Sequence, residues 1–224
     1  MRNIPYLVLL AAILACNDQS EVTTEPADAL AERGSGLRYR VVMQASTLGG
    51  RVNVATSINS RGRLAGFSDL GTEPTRHAVL WGRGGNIDDL GTLGGLNSVV
   101  QWPGQNDWGM VVGISETSDL DPNSEPWSCT AFFRDPTQPT GHVCRGFAYY
   151  DDRMHELPTL GGTHGFATSA NNRGQVVGWA ETTVEDPTCN GDQVLQFRAV
   201  LWEPKKDRHR ELPPLAGDST SAAT

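Results

Sequence analysis

The chain has 224 residues, with 26 acidic against 18 basic side chains and a formal net charge of −8. This balance excludes a basic surface of the kind that attracts nucleic acid or anionic lipid, and we predict no nucleic-acid partner. The length is sufficient for a sizeable hydrophobic core. The sequence contains no nucleophile elbow, His-Glu-x-x-His helix or phosphate-binding loop, so we predict no catalytic residues and no cofactor.

The chain begins with the features of an export signal. Arg2 precedes an apolar stretch from Ile4 to Leu14 that is too short to span a bilayer of about 30 Å. Residues 13–16, Ile-Leu-Ala-Cys, resemble a bacterial lipobox. By that resemblance, residues 1–16 form a lipoprotein signal peptide, and Cys16 carries the lipid that anchors the exported chain to a membrane of the bacterial cell envelope or at the cell surface. The alternative is an ordinary signal peptide that is cut elsewhere and discards Cys16.

Residues 17–36 form the next segment. They are acidic and contain few bulky apolar side chains. A segment of this composition cannot bury enough surface to fold. We therefore predict a disordered acidic tether that holds the rest of the chain away from the membrane.

The remainder, residues 37–224, is repetitive. Thr-Leu-Gly-Gly occurs at residues 47–50, 92–95 and 159–162, with a degenerate copy, Pro-Leu-Ala-Gly, at 214–217. Asn-x-x-Gly follows at 59–62, 106–109 and 171–174, and an apolar run comes third, at 78–81, 199–202 and, loosely, 147–150. Three motifs in a constant order predict repeats over about 47–91, 92–158 and 159–213, with the start of a fourth at 214–224.

Each motif has a physical interpretation. Asn-x-x-Gly suits a type I turn, and the short β-rich runs on either side of it predict a hairpin. The apolar run predicts a buried third strand, and a glycine-rich turn such as 83–86 leads into a fourth strand. Thr-Leu-Gly-Gly marks the turn that ends each unit and belongs to the scaffold. Four short antiparallel strands per repeat predict an all-β, β-propeller-like array.

The same motifs resemble a known family. Residues 89–95, Asp-Leu-Gly-Thr-Leu-Gly-Gly, and 77–81, His-Ala-Val-Leu-Trp, look like the HAF family of bacterial extracellular repeats, named after the His-Ala-Phe form of the apolar motif. In the third repeat Arg198 replaces the histidine. The resemblance covers about residues 37–217. It implies an exported, propeller-like protein and brings no activity or catalytic residue.

The number of repeats bears on closure of the array. A closed propeller has about 4–8 blades, and this sequence contains three complete repeats and the start of a fourth. We therefore expect an incomplete ring and favour a fragment of a longer array. The alternatives are that the two ends pair, or that copies of the chain associate to close the ring.

The second repeat is the longest, and its excess lies between residues 114 and 145. Cys129 and Cys144 are equidistant from the middle of this insert, as facing positions of a hairpin are. In an exported protein this arrangement predicts a Cys129–Cys144 disulfide. Cys189 lies in the corresponding loop of the third repeat. Its partner stays open between Cys129, Cys144 and a cysteine beyond this sequence.

Two patterns in the insert fall short of metal sites. His142, Cys144 and Cys129 lack the paired short motifs of structural zinc sites. Residues 119–125 begin like a calcium loop, but Ser124 occupies the glycine position and Thr130 the position of the bidentate glutamate. We predict a solvated acidic turn there and no metal site.

Aromatic residues outside the repeat pattern are the candidates for a binding surface: Trp102, Trp108, Trp127 and Phe132. Trp108 occupies a turn position that is arginine in the other copies, whereas Trp81, Trp179 and Trp202 occupy strand positions and are expected in the core. Exposed aromatic residues on loops are typical of surfaces that bind peptides or sugars. The alternative is that these side chains cover their own insert.

These observations favour a binding or interaction module whose partner is a protein or a glycan. One alternative is a propeller-type enzyme that acts on glycans through carboxylates on the central face. Another is a purely structural envelope protein. Convergence of non-repeated Asp, Glu or His residues in a partly buried pocket would favour the enzyme.

Overall fold

The structure is a computed structural model that describes residues 41, 44–71, 75–125, 129, 132–133, 141–188 and 193–224. The segments assigned to the signal peptide, the lipidated Cys16 and the tether lie outside these residues, as do Trp127 and Cys189. The three repeats fall largely within them.

Each repeat forms one antiparallel sheet of four strands that neighbour one another in chain order. The first sheet contains β1 (Gly49–Ile58), β2 (Leu64–Leu70), β3 (Arg76–Trp81) and β4 (Ile87–Asp89). The second contains β5 (Gly94–Val99), β6 (Val111–Leu120), β7 (His142–Tyr150) and β8 (Arg153–Glu156). The third contains β9 (Gly161–Ala170), β10 (Val176–Glu185), β11 (Leu195–Glu203) and β12 (Arg208–Leu212), with a short 3-10 turn, Pro204–Lys206, before β12. The sheets form an open, all-β, propeller-like array, which confirms the predicted fold class.

Thr-Leu-Gly-Gly lies where one sheet passes into the next and opens the first strand of each sheet. The threonine hydroxyl accepts a hydrogen bond from the first glycine N–H, at 3.1 Å for Thr47, 3.2 Å for Thr92 and 3.3 Å for Thr159. That glycine has a φ of +100°, +112° or +103°, in the left-handed region that favours glycine. A side chain on the second glycine would collide with the Cβ of a buried acid on the neighbouring strand: Asp69, Glu116 or Glu181. Backbone geometry therefore explains both glycines.

The Asn-x-x-Gly turns form a ladder along the same end of the three sheets. The side-chain oxygen of Asn59 accepts hydrogen bonds from the N–H groups of Arg61 at 3.0 Å and Arg63 at 3.1 Å. Asn59 Nδ2 donates to the backbone carbonyl of Asn106 at 3.2 Å, and Asn106 Nδ2 donates to that of Asn171 at 2.9 Å. Each of the first two turns is therefore fixed internally and against the turn of the next repeat.

Strand pairing shows how the second repeat aligns with the other two. Trp81, Tyr149 and Trp202 each pair with the first residue of the second strand of their sheet. The apolar run of the second repeat is therefore 146–149, one residue earlier than the loose sequence match at 147–150. This shift places Tyr150 at the end of β7, beside the β7–β8 turn.

The hydrophobic core lies between adjacent sheets. Leu80 of the first sheet packs in one cluster with Phe147 of the second, and Val112 of the second packs in another with Trp202 of the third. A further cluster contains residues of all three sheets, including Phe166. Burial between sheets means that each repeat needs its neighbours in order to fold.

The tryptophans expected in the core are buried there. Trp81 and Trp202 are fully buried, and Trp179 nearly so. The Trp81 indole N–H donates to the carbonyl of Ser46 at 2.7 Å, and the Trp202 indole N–H donates to that of Pro158 at 2.8 Å. Each indole thus joins the third strand of a sheet to the residue just before the same repeat.

Residues 214–224 make contacts on the third sheet that a first strand makes elsewhere. The Thr168 hydroxyl donates to the carbonyl of Ala223 at 2.7 Å. Between the first and second sheets, the Thr56 hydroxyl donates in the same way to the carbonyl of Val100, just beyond β5, at 2.6 Å. The segment therefore packs on the third sheet as the β5 region packs on the first.

The predicted disulfide closes the insert of the second repeat. Cys129 is bonded to Cys144 of β7, and their Cα atoms are 5.5 Å apart. Both cysteines are buried in the cluster that contains Phe133 and Ile114. The disulfide therefore fastens the insert to the core of the second sheet.

Candidate functional site

Trp108 lies at the third position of the Asn-x-x-Gly turn in the second repeat, and 69% of its surface is exposed. The turn around it is the same as in the other repeats, because the Asn106 side-chain oxygen accepts the N–H groups of Trp108 at 3.0 Å and Met110 at 2.9 Å. Arg61 and Arg173 occupy the equivalent positions. The scaffold thus presents a large aromatic side chain at a point where it normally presents a cation.

A groove lies between the second and third repeats and has a volume of about 280 Å³. We call it the inter-repeat groove; the side chains that matter here are Trp108, Tyr150, Asp151, Asn172, Arg173 and Lys205. Tyr150 and Asp151 belong to the β7–β8 hairpin, where Asp151 and Asp152 have φ of 51° and 58°. Positive φ at both central residues is the conformation of a type I′ turn, which aspartate tolerates. Local turn geometry therefore builds this part of the groove.

Cations cover the aromatic rings of the groove unequally. The Arg61 guanidinium carbon lies 5.1 Å from the centre of the Trp108 ring, and Lys205 Nζ lies 5.0 Å from the centre of the Tyr150 ring. Tyr150 also stacks on His155, with ring centres 4.0 Å apart and an interplanar angle of 8°. Lys205 and His155 therefore both contact the Tyr150 ring, and Arg61 lies over the Trp108 ring.

The groove contains charges of both signs. Lys205 forms an ion pair of 3.8 Å with Asp151 across the two repeats, and both side chains are more than half exposed. Beside the groove, hydrogen bonds from Asn172 and Ser60 lower the pKa of Asp107 to about 2. The Asn172 amide donates to one Asp107 oxygen at 2.8 Å, and the Ser60 N–H donates to the other at 2.8 Å. Asp107 is therefore ionised at neutral pH, and its carboxylate is already engaged.

The other aromatic candidates lie elsewhere. Trp102 is 42% exposed and lines a second cavity of about 380 Å³ with Pro103, Thr168, Ser169 and Thr224. Phe132 packs edge-on against Phe166, with ring centres 4.5 Å apart, so it contributes to the core and not to the groove. Trp127 lies outside the described residues. The structure thus brings neither Trp102 nor Phe132 into the inter-repeat groove with Trp108.

A second polar constellation lies beneath the insert, where the sequence predicted a solvated acidic turn. Asp119 of that turn is exposed as expected, but the Asp121 and Glu125 side chains are only 3% and 0% exposed, and His164 beside them is 0% exposed. His164 Nε2 lies 3.3 Å from Asp121 Oδ2 and 4.0 Å from Glu125 Oε2. We call these three residues the acid–histidine cluster. The two acids come from the second repeat and the histidine from β9, so spacing along the chain could not reveal it.

The two carboxyl groups and the imidazole of the acid–histidine cluster are residue types that bind metal ions, and their potential ligand atoms lie within 4.8 Å of one another. The hydrogen bonds of the histidine argue against one. The Cys144 backbone N–H donates to His164 Nδ1 at 3.0 Å, so this nitrogen carries no proton. The neutral ring therefore has its proton on Nε2, the atom that faces both acids. A metal-bound histidine normally donates its other ring N–H, which His164 cannot do here.

The contacts of Glu125 show what the acid–histidine cluster does instead. Glu125 Oε1 accepts hydrogen bonds from the backbone N–H groups of Val194 at 2.6 Å and Leu195 at 2.7 Å. Glu125 therefore ties the insert of the second repeat to the loop that precedes β11.

A third buried acid, Glu181 of β10, supports β9, the strand that carries His164. Its carboxylate accepts the backbone N–H groups of Thr163 at 3.1 Å and His164 at 2.7 Å. Burial raises the pKa of Glu181, His164 opposes that rise, and Glu125 adds to it. Glu181 therefore holds the backbone of β9 beside the acid–histidine cluster.

Comparison of the chain with protein-family models, with curated proteins and with solved structures found no match. Within the described residues, no helix has the length and apolar composition needed to cross a membrane. Function is therefore argued from the geometry and chemistry of the sites.

Proposed function

We propose that this chain is an exported, lipid-anchored repeat protein of the HAF type that binds a surface ligand, a protein or a glycan, in the inter-repeat groove. The observation that carries the proposal is the exposed Trp108, held by a well-ordered turn at a position that the other repeats fill with arginine. An exposed indole beside polar groups is typical of a binding surface, since aromatic residues dominate recognition.

The rigidity of the scaffold supports this proposal. We call the hydrogen bonds between successive Asn-x-x-Gly turns the asparagine ladder. It fixes the turn of Trp108 against the turn of Arg173, and the Lys205–Asp151 ion pair joins the two repeats across the groove. A site held by hydrogen-bonded turns loses little conformational entropy when it binds. The groove is therefore largely formed before a ligand arrives.

An enzymatic function is less well supported. The non-repeated Asp121, Glu125 and His164 do converge, but solvent has almost no access to them, and Glu125 Oε1 and His164 Nδ1 accept backbone hydrogen bonds. Beside the groove, Asp107 has a pKa of about 2 and cannot act as a general acid near neutral pH. Asp151 forms an ion pair with Lys205. The geometry therefore favours binding over catalysis.

Export and anchoring are supported by the lipobox resemblance at residues 13–16 and by the Cys129–Cys144 disulfide, since disulfides persist in oxidising compartments. Intact mass spectrometry of the protein extracted from membranes tests this part. We expect a chain that begins at Cys16 with a mass increased by acyl groups, and no acyl mass in Cys16→Ala. A chain cleaved at another position and free of lipid would contradict the anchor.

Binding is tested with immobilised envelope proteins and glycans from the producing cell, probed with the mature chain. We expect at least one ligand whose binding falls about tenfold or more in Trp108→Ala. Trp102→Ala is the matched aromatic control, because Trp102 lines the other cavity. Ligands that bind equally well to Trp108→Ala and the parent chain would overturn the proposed site.

A further inference from the structure

We infer that the ligand of the inter-repeat groove is a neutral, polyhydroxylated ring, that is, a sugar unit of an uncharged glycan. The inference rests on the proposed function and narrows it to one chemical class. It is carried by the exposed indole of Trp108 and by the charges of both signs beside it.

Trp108 provides the apolar part of the site. Arg61 lies over one face of the indole, and a planar ring has only two faces. Tyr150 offers no such platform, because Lys205 and His155 lie over its ring. A pyranose ring has an apolar C–H face that matches an indole face in size and shape. One ring stacked on Trp108 is therefore the expected contact.

The polar part of the site contains charged groups of both signs. Arg173 and Lys205 are cationic donors, whereas Asp151 is an anionic acceptor held 3.8 Å from the Lys205 ammonium. A fixed anion on the ligand would meet Asp151 and the ionised Asp107, and a fixed cation would meet Arg173 and Lys205. A sugar hydroxyl both donates and accepts, so it can serve either partner without placing like charges together.

The hydroxyl of Tyr150 adds a further neutral group. Partial burial, with help from the charge of Asp151, raises its pKa. The phenol therefore keeps its proton at neutral pH and can donate or accept a hydrogen bond. The groove thus combines one aromatic platform with several groups suited to hydroxyls.

A protein partner suits this groove less well. Tight protein interfaces exclude water around a buried anchor, and burying charged pairs such as Lys205–Asp151 carries a large desolvation cost. A glycan interface can stay hydrated around these charges. The volume of about 280 Å³ lies just below the usual range for ligand pockets, which fits one ring with its neighbours outside.

The test uses the mature chain with defined probes: cellohexaose, mannohexaose and chitohexaose as neutral ligands, hexagalacturonate as an acidic glycan, and acidic and basic hexapeptides. Saturation-transfer NMR and tryptophan fluorescence report binding. We expect at least one neutral hexasaccharide to bind, with an affinity that changes less than about twofold between 0.05 and 0.5 M NaCl. Binding of a charged probe would weaken strongly over the same range.

Three variants separate the outcomes. Trp108→Arg, which restores the residue type of the other repeats, is expected to weaken the neutral saccharide about tenfold or more, and Asp151→Asn to weaken it by a smaller factor. Trp102→Ala is expected to bind as the parent does. Loss of binding in Trp102→Ala but not in Trp108→Arg would overturn the inference and the proposed groove together.

The remaining outcomes distinguish this inference from the proposed function. If only hexagalacturonate or a peptide binds, and binds through Trp108, the neutral-sugar inference is wrong while the binding function stands. If neither these probes nor any envelope ligand depends on Trp108, both are wrong. Salt-insensitive binding of a neutral saccharide that Trp108→Arg abolishes is the result that supports both.

Discussion

The inter-repeat groove and the acid–histidine cluster are both built from polar side chains of the second and third repeats, yet they differ in exposure. In the groove, Asp151 and Lys205 are paired but open to water. In the cluster, Glu125 and His164 are closed off, and Glu125 accepts two backbone N–H groups from the neighbouring repeat. Both join the same two repeats. The first leaves a surface available to a ligand, whereas the second uses its polar groups to hold the insert in place.

This difference shows why convergence of titratable residues does not by itself identify an active site. The carboxylates and imidazole of the cluster have the composition of a catalytic or metal site. Their hydrogen bonds, including the Cys144 N–H that fixes the tautomer of His164, assign them to structure. The groove has a less conspicuous composition but has accessible groups, which recognition requires.

The largest expected effect is a loss of stability on substitution of Glu125, which tests the structural role of the acid–histidine cluster. Glu125→Ala leaves the N–H groups of Val194 and Leu195 without their acceptor and removes a buried carboxyl group from the cluster. We expect the free energy of unfolding, measured with urea, to fall by about 3–5 kcal/mol. Glu125→Gln keeps an acceptor oxygen and should lose less.

Glu185→Ala is the matched control, because Glu185 is exposed at the end of β10, opposite Leu195, and should change stability by about 0.5 kcal/mol or less. An equally small effect of Glu125→Ala would show that the cluster does not fasten the insert. A rise in melting temperature on adding Zn²⁺ or Ca²⁺, absent in Glu125→Ala, would instead show that the cluster binds metal.

How far the sequence predicts these features depends on whether the residues belong to the repeat. Thr-Leu-Gly-Gly and Asn-x-x-Gly recur, so they predict the sheets and the turns. The position of Trp108 follows from the same alignment. The residues of the acid–histidine cluster do not recur in the other repeats. They join the insert to β9 through a contact between two repeats, which the spacing of residues along the chain does not predict. The loose sequence alignment gives Tyr150 the position of Trp81 and Trp202. Strand pairing gives that position to Tyr149 and leaves Tyr150 at the end of β7, where it lines the groove.

The next effect concerns the disulfide of the insert. Cys129 and Cys144 are separated by 15 residues in the sequence, and closing a loop of this length contributes about 3 kcal/mol in the chain-entropy account. Replacing both with alanine should lower the free energy of unfolding by about that amount. The backbone bond from Cys144 to His164 would remain.

Cys189→Ser is the control for the disulfide. The Cys129–Cys144 bond uses both other cysteines of the repeat domain, so this change should leave the free energy of unfolding nearly unaltered. A loss in Cys189→Ser equal to that of the double variant would show that the cysteines pair differently. Thiol labelling of the unfolded, non-reduced chain would then identify the free residue.

A smaller effect tests the asparagine ladder beside the groove. Asn106→Ala removes the acceptor of Trp108 and Met110 and the bond from Asn106 Nδ2 to Asn171. Asn171→Ala removes an equivalent cap, but its Nδ2 bonds to Gln175 of the same turn at 2.9 Å. We expect Asn106→Ala to cost about 1 kcal/mol more than Asn171→Ala in urea unfolding. Equal costs would mean that the bond between repeats contributes no stability.

The smallest expected effect on stability is that of Trp108→Arg, and it separates the two regions most clearly. The equivalent turns already carry Arg61 and Arg173 on the same backbone caps, so the free energy of unfolding should change by about 0.5 kcal/mol or less. Ligand binding should nevertheless be lost, because the aromatic platform is gone. The acid–histidine cluster would behave oppositely, with a large change in stability on substitution. A Trp108→Arg chain that unfolds as readily as Glu125→Ala would show that the indole supports the fold. The proposal that the exposed turn is a binding surface would then be wrong.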